Sequence, residues 1–110
     1  MFETRSAKWA TVKLGQLFRI ETRGCAPSEA PRDLFRHYSL PAFDKTGGPA
    51  IELGQTIESN KLLLTEACVL VSKLNPRIPR VVIHRPFGDG LPVCTSTEFI
   101  PYVPASSDVL

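Results

Sequence analysis

Ile57-Glu58-Ser59-Asn60-Lys61-Leu62-Leu63-Leu64-Thr65-Glu66-Ala67-Cys68-Val69-Leu70-Val71-Ser72-Lys73-Leu74-Asn75-Pro76-Arg77 is the stretch on which the fold turns. It holds the most apolar run of the chain, residues 67–71, which is too short for a buried helix and bounded by polar residues, as a buried strand is. A second apolar run, Leu62-Leu63-Leu64, precedes it, and Thr65-Glu66 between them reads as a turn. If that turn makes an antiparallel pair, Lys61 falls opposite Leu70, about three residues short of Lys73. Small polar groups and cations close both runs, so the stretch reads as a scaffold with basic side chains at its rim.

Downstream, Asn75-Pro76-Arg77-Ile78-Pro79 is a rigid loop, because two prolines fix φ and remove donors. Residues 80–84, Arg-Val-Val-Ile-His, form a β-branched strand, and 86–92, with Gly88-Asp89-Gly90 at the tip, read as a hairpin loop. Residues 93–103 read as one last strand with Val93, Thr95, Thr97, Phe99 and Val103 on one face, and Pro101 and Pro104 mark an edge or an end. Upstream, residues 34–43 alternate as a strand, with Leu34, Arg36, Tyr38 and Leu40 on one face and Phe35, His37 and Ser39 on the other. Residues 44–49 make a glycine-proline turn and 25–32 a loop. Residues 9–18 shift from near-alternation to helical spacing, which predicts a short strand leading into one or two turns of helix that Gly24 ends, and residues 1–8 are expected to be disordered. The count is five or six strands and one short helix within one domain, residues 9–110.

The formal charge of +2 does not by itself mark a nucleic-acid binder. Arginine outnumbers lysine eight to five, however, and Arg23, Arg32, Arg36, Arg77, Arg80 and Arg85 fall in or beside loops. The planar guanidinium suits bidentate contacts to phosphate and guanine, whereas the bland alternative is a solvated surface. Three widely spaced cysteines, Cys25, Cys68 and Cys94, offer no zinc-binding pair. No apolar run is long enough to span a bilayer, and the expectation is a reduced, cytoplasmic protein.

Catalysis finds no constellation. His37 and His84 are the only histidines, no Gly-x-Ser-x-Gly elbow occurs, and Gly47-Gly48 lacks the lysine and spacing of a phosphate loop. Ser72-Lys73-Leu74-Asn75-Pro76-Arg77 instead gathers donors for phosphate oxygens and base edges at the end of a buried strand. Ser72 and Asn75 could equally tie down their own backbone.

The order of the pieces carries a resemblance. Trp9 followed by Val12-Lys13-Leu14-Gly15, then Tyr38-Ser39-Leu40-Pro41-Ala42-Phe43-Asp44, Ile57-Glu58-Ser59-Asn60-Lys61, Val71-Ser72-Lys73-Leu74-Asn75-Pro76-Arg77 and Ser96-Thr97-Glu98-Phe99 resembles the target recognition domain of type I restriction-modification specificity subunits. The likeness runs in order over residues 9–103. It implies an α/β (α+β) fold built on a strongly curved mixed β-sheet with one or two short helices. It further implies a non-catalytic subunit that reads half of a split duplex DNA sequence. Methyltransferase and restriction subunits would be its partners, and S-adenosylmethionine and ATP would be held by those subunits, with no cofactor in this chain. Family members carry two such domains and helical spacers, so a 110-residue chain is expected to be a C-terminally truncated, N-terminal piece.

On that reading Lys61, Lys73, Arg77 and Arg80 contact phosphates, and some of Asn75, Arg36, His37 and Tyr38 approach base edges. Segments shared by a family whose members read different sequences suit scaffold better than base choice. Ser59, Asn60, Ser72 and Asn75 then hold loops, and base choice falls to residues 25–38 and 85–92. The alternative is a protein-interaction module, or an inactive remnant, that docks through an open sheet edge.

Overall fold

A computed structural model describes residues 17–73 and 80–105. Trp9, Val12 and Leu14, the Asn75 and Arg77 positions and the expected disordered start lie outside the described residues. The elements run β1 (Phe18–Ile20), β2 (Gly24–Cys25), β3 (Leu34–Tyr38), α1 (Leu40–Thr46), β4 (Ala50–Leu53), β5 (Lys61–Leu64), β6 (Cys68–Ser72), β7 (Val81–His84), β8 (Val93–Thr95) and β9 (Phe99–Pro104). Short 3-10 turns occupy Pro27–Glu29 and Gly54–Thr56. The class is α+β, and strands are the main regular structure among the described residues.

The strands form two sheets. One has the order β1-β9-β6-β7 and is antiparallel throughout; the other, β2-β5-β8-β3-β4, is mixed, because β3 and β8 run parallel. Residues 57–80 therefore do not form a hairpin. β5 pairs with β2 and β8 in the mixed sheet, while β6 pairs with β7 and β9 in the antiparallel one. Thr65-Glu66-Ala67 carries the chain from one sheet to the other. Lys61 consequently lies opposite Cys25, and Leu70 lies between Val82 and Pro101, which overturns the expected pairing of Lys61 with Leu70.

The same crossing recurs twice. Residues 85–92 join β7 to β8 across the sheets, so they do not close a hairpin. The expected single strand over 93–103 breaks at Ser96-Thr97-Glu98, where the Ser96 hydroxyl accepts the Glu98 N–H at 3.1 Å and the Ser96 carbonyl accepts the Phe99 N–H at 3.1 Å. That corner turns the chain while keeping alternation on both sides of it. A serine that bonds its own backbone two residues on is a turn former, and here it outweighs the β propensity around it.

The strand expected over 34–43 ends at Tyr38, and a helix follows. Ser39 caps it, its side chain accepting the Ala42 N–H at 3.2 Å, and a proline in the first turn needs no donor there. Gly47, at φ 78°, closes it in the left-handed region that a side chain disfavours. β1, β2 and β4, each two to four residues long, have too few residues for alternation to show.

The main core lies between the sheets. Tyr38, Leu64 and Val93 of the mixed sheet meet Cys68, Leu70, Val82, Phe99 and Val103 of the other, with Leu40 and Phe43 of the α1 region packed alongside. A smaller core of Phe35, Ile57 and Cys94 sits on the other face of the mixed sheet under Cys25 and Ala30. All three cysteines are free. Cys25 and Cys94 share this face but flank β5, so two strand spacings, about 10 Å, separate their backbones and exceed the reach of a disulfide.

The outward face of the antiparallel sheet is apolar. Ile20, Tyr102, Val69 and Ile83 form one row across its four strands, with Ile100, Val71 and Val81 in the next. Ile20, Val81 and Ile83 are each more than half exposed.

Candidate nucleic-acid interface

Three of the segments that carry the resemblance, those ending at Asp44, at Ser72-Lys73 and at Ser96–Phe99, meet at one end of the two sheets. The Ser72 N–H donates to the Arg80 carbonyl at 2.9 Å and the Lys73 N–H to the Glu98 carbonyl at 2.8 Å. Arg80 donates through Nε and NH2 to the two Asp44 carboxylate oxygens at 2.7 and 3.1 Å. Phe43, one residue before Asp44, packs edge-on against Phe99 with ring centroids 6.3 Å apart. Four stretches far apart in sequence thus brace one rim: the α1 helix, Ser72-Lys73, Arg80 and the Ser96–Glu98 corner. Lys73 is exposed there and lines a shallow cavity of about 260 Å³ with Glu21, Thr22, Leu62 and Thr97.

The Arg80 pair holds the Asp44 carboxyl below its ordinary range. It is a fork-to-fork contact, so its value lies in orientation more than in stability at an exposed site. The guanidinium keeps one NH2 group, NH1, unused by Asp44.

A second cationic cluster stands at the other end of β7. Arg36, on β3, donates through Nε to Asp89 at 3.0 Å and through NH2 to the same oxygen, and its guanidinium carbon lies 4.0 Å from the centre of the Phe87 ring. Arg85, two residues before Phe87 in sequence, is exposed. Arg80 precedes β7 and Arg85 follows it, so about 16 Å of extended chain separates the clusters. That is the scale of a major groove about 12 Å wide with its flanking phosphates.

Other expected contact residues are placed elsewhere. Tyr38 is 2% exposed, and its hydroxyl lies 2.8 Å from His84 Nδ1; burial raises its pKa to about 12. It faces the main core, because the antiparallel sheet covers that end of β3. His37 points to the opposite face, is 7% exposed and places Nδ1 2.9 Å from the Glu52 carboxylate. Neither ring stands where a base edge could reach it. Lys61 is half-buried on β5, on the same face as Cys25, and makes no ion pair among the described residues. Lys73 follows Ser72, whose N–H bonds the Arg80 carbonyl, and Lys61 is not brought to them.

His84 is the residue that sequence reasoning passed over. As a polar residue at the end of a β-branched strand, it gave no signal of a buried partner 46 positions away. Its ring is 1% exposed, and burial lowers its pKa from the ordinary 6.5. Were Nδ1 to donate, the buried Tyr38 hydroxyl proton would have no acceptor; Tyr38 therefore donates to Nδ1, and the neutral ring carries its proton on Nε2. The unfolded chain takes up the imidazole proton first as pH falls. The stability due to neutral His84 is therefore complete above pH 6.5 and declines as pH drops below it toward the folded value. Urea midpoints measured from pH 7.5 to 5 are expected to fall in that window, and His84→Gln is expected to flatten the slope; an unchanged slope would contradict this. Glu21, Asp44 and Asp89, with pKa values lowered from 4.5, 3.8 and 3.8, lose their contribution only at more acidic pH, so the two effects separate.

No group of three or more histidine, cysteine or acidic side chains able to hold a metal occurs among the described residues. Their helices include none long and apolar enough to cross a membrane. No family model matches the chain, and no curated protein or solved structure matches it either.

Proposed function

We propose that this chain is the DNA-recognition part of a type I restriction-modification specificity subunit: a target recognition domain that binds duplex DNA sequence-specifically and is not itself an enzyme. The observation that carries the reading is the convergence of Ser39–Asp44, Ser72-Lys73, Arg80 and Ser96–Phe99 on one braced rim. All but Arg80 belong to segments on which the resemblance rests, and their meeting gives them a common task. They fix Arg80 and the exposed Lys73, the described residues on either side of the sequence that carries Asn75 and Arg77. In this reading Lys61, Lys73, Arg77 and the free NH1 groups of Arg80 and Arg36 contact phosphates. His37 and Tyr38 support the strand from behind, and base choice lies with Asn75 and with residues 25–36 and 85–92. The work is cytoplasmic, methyltransferase and restriction subunits are the partners, and S-adenosylmethionine and ATP are used by them.

Binding to a mixed-sequence duplex, measured from 50 to 300 mM salt, tests this. The logarithm of the affinity is expected to fall linearly with log salt, by about 0.9 per neutralised phosphate. Lys73→Ala is expected to weaken all duplexes alike and to reduce the slope by about 1. A flat dependence would sink the proposal.

A second reading, an interaction module, is favoured by the apolar outer face of the antiparallel sheet. The occupant is a second copy, because two faces bearing the same rows can pack aligned as sheets do in sandwiches. Light scattering showing concentration-dependent dimers, abolished by Ile83→Lys and unaccompanied by DNA binding, would replace the first reading with this one.

A further inference from the structure

The loop over 85–92, whose ends lie in different sheets, roofs a cavity of about 460 Å³. Its walls include Leu63 and Leu64 of β5, Leu91 and Phe87, and His84 lines it. Three features are unusual together. His84 is 1% exposed, its Nδ1 is taken by Tyr38, and its remaining ring nitrogen has no partner among the described residues. The side-chain polar atom sealed from solvent without a partner among the described residues is His37 Nε2, so His84 Nε2 keeps a small exposed area, and its ring lines the cavity. Phe87, by contrast, is 46% exposed, an aromatic ring left in the wall of a cleft with the Arg36 guanidinium over it. Apolar walls, an exposed aromatic face backed by arginine and one inward N–H donor fit a planar heteroaromatic ring that carries an acceptor on its edge.

We propose that this cavity receives one unstacked nucleobase of bound DNA, its ring stacked on Phe87 and a ring nitrogen or carbonyl accepting from His84 Nε2. The inference rests on the DNA-binding reading and adds to it a site where a base leaves the stack. Leaving the duplex costs a few kcal/mol, least where the base is already unpaired, and the cavity must repay that. Arg36 and Arg85 stand at the same end of β7 and would hold the flanking phosphates.

The test uses the full chain, a mixed-sequence duplex with and without a central one-nucleotide bulge, and the four free deoxynucleosides. The bulged duplex is expected to bind about tenfold more tightly, the scale of one base stacked on an aromatic ring. Phe87→Ala, an exposed position, and Leu91→Trp, which fills the cavity, are expected to remove that preference while the salt dependence persists. Equal binding of both duplexes by the unaltered chain overturns the cavity assignment and leaves DNA binding intact. If neither duplex binds, the DNA reading itself has failed, and the nucleosides decide the chemistry of the cavity. Saturable shifts of the His84 imidazole resonances, absent in Leu91→Trp and absent with deoxyribose 5-phosphate, support a nucleobase; no shift with any nucleoside overturns it.

Discussion

Gly54→Ala is expected to unfold the protein or leave it with a small fraction of its stability, although it adds a single methyl group. A β-carbon at this position would stand 2.2 Å from the Ala30 carbonyl oxygen and 2.3 Å from that of Pro27. Both are main-chain atoms of the first 3-10 turn and its cap, so no side-chain rotation relieves the overlap. Backbone must move, and it is fixed on two sides: the Gly54 N–H donates to the Asp33 carbonyl at 2.8 Å, and the Gln55 N–H to the Pro31 carbonyl at 3.2 Å. Beneath this contact lies the smaller core, where Ile57 is 1% exposed and Ala30 packs against it. Pushing the two turns apart opens that core and breaks both hydrogen bonds, a loss on the order of 3 kcal/mol or more, and whole-domain stability is only about 5–15 kcal/mol. Thermal and urea unfolding would measure it. Gly24→Ala serves as the control, because nothing lies within 4 Å of a β-carbon there; a Gly54→Ala midpoint within a degree of the parent would contradict the packing described.

Alternation in the sequence shows which residues share a face, and the structure keeps those faces. Arg36 and Tyr38 lie together, as do Phe35 and His37, and Phe99 and Val103 remain on one side of β9. What alternation cannot show is which strand lies next to which. Consecutive strands joined by a few residues read as hairpins, yet β5 and β6, β7 and β8, and β8 and β9 each part into different sheets. The Ser96 corner was the one such crossing with a local chemical signature, a serine bonding its own backbone. The face assignment also left open what covers the face. Arg36 and Tyr38 looked equivalent, but the second sheet covers only the Tyr38 end, so one side chain pairs with Asp89 at the rim and the other is sealed in the core. The candidate site divides similarly. Lys73 and Arg80 were legible as cations closing strands, whereas the cavity beside His84 depends on long-range packing that no local pattern records.

Phe99→Ala is expected to cost about 3–5 kcal/mol of stability and, under the proposed DNA-recognition function, to weaken duplex affinity at temperatures where the variant still folds, without removing a cation. Phe99 is the largest fully buried side chain among the described residues and packs edge-on against Phe43 of α1. Its backbone neighbour Glu98 accepts the Lys73 N–H, and Phe43 leads into Asp44, which holds Arg80. The aromatic pair therefore fixes the helix against the corner and, through both, the rim that presents Lys73. A cavity where Phe99 stood lets α1 shift, and the Asp44–Arg80 pair, exposed and of small intrinsic strength, has no means of holding the geometry alone. Phe99→Leu keeps most of the volume and is expected to cost less than half as much while retaining affinity. The two measurements distinguish a structural core from a braced interface. If Phe99→Ala lowers stability but leaves the duplex affinity and its salt slope unchanged, the rim stands without the core behind it, and the convergence on which the functional proposal rests loses its meaning.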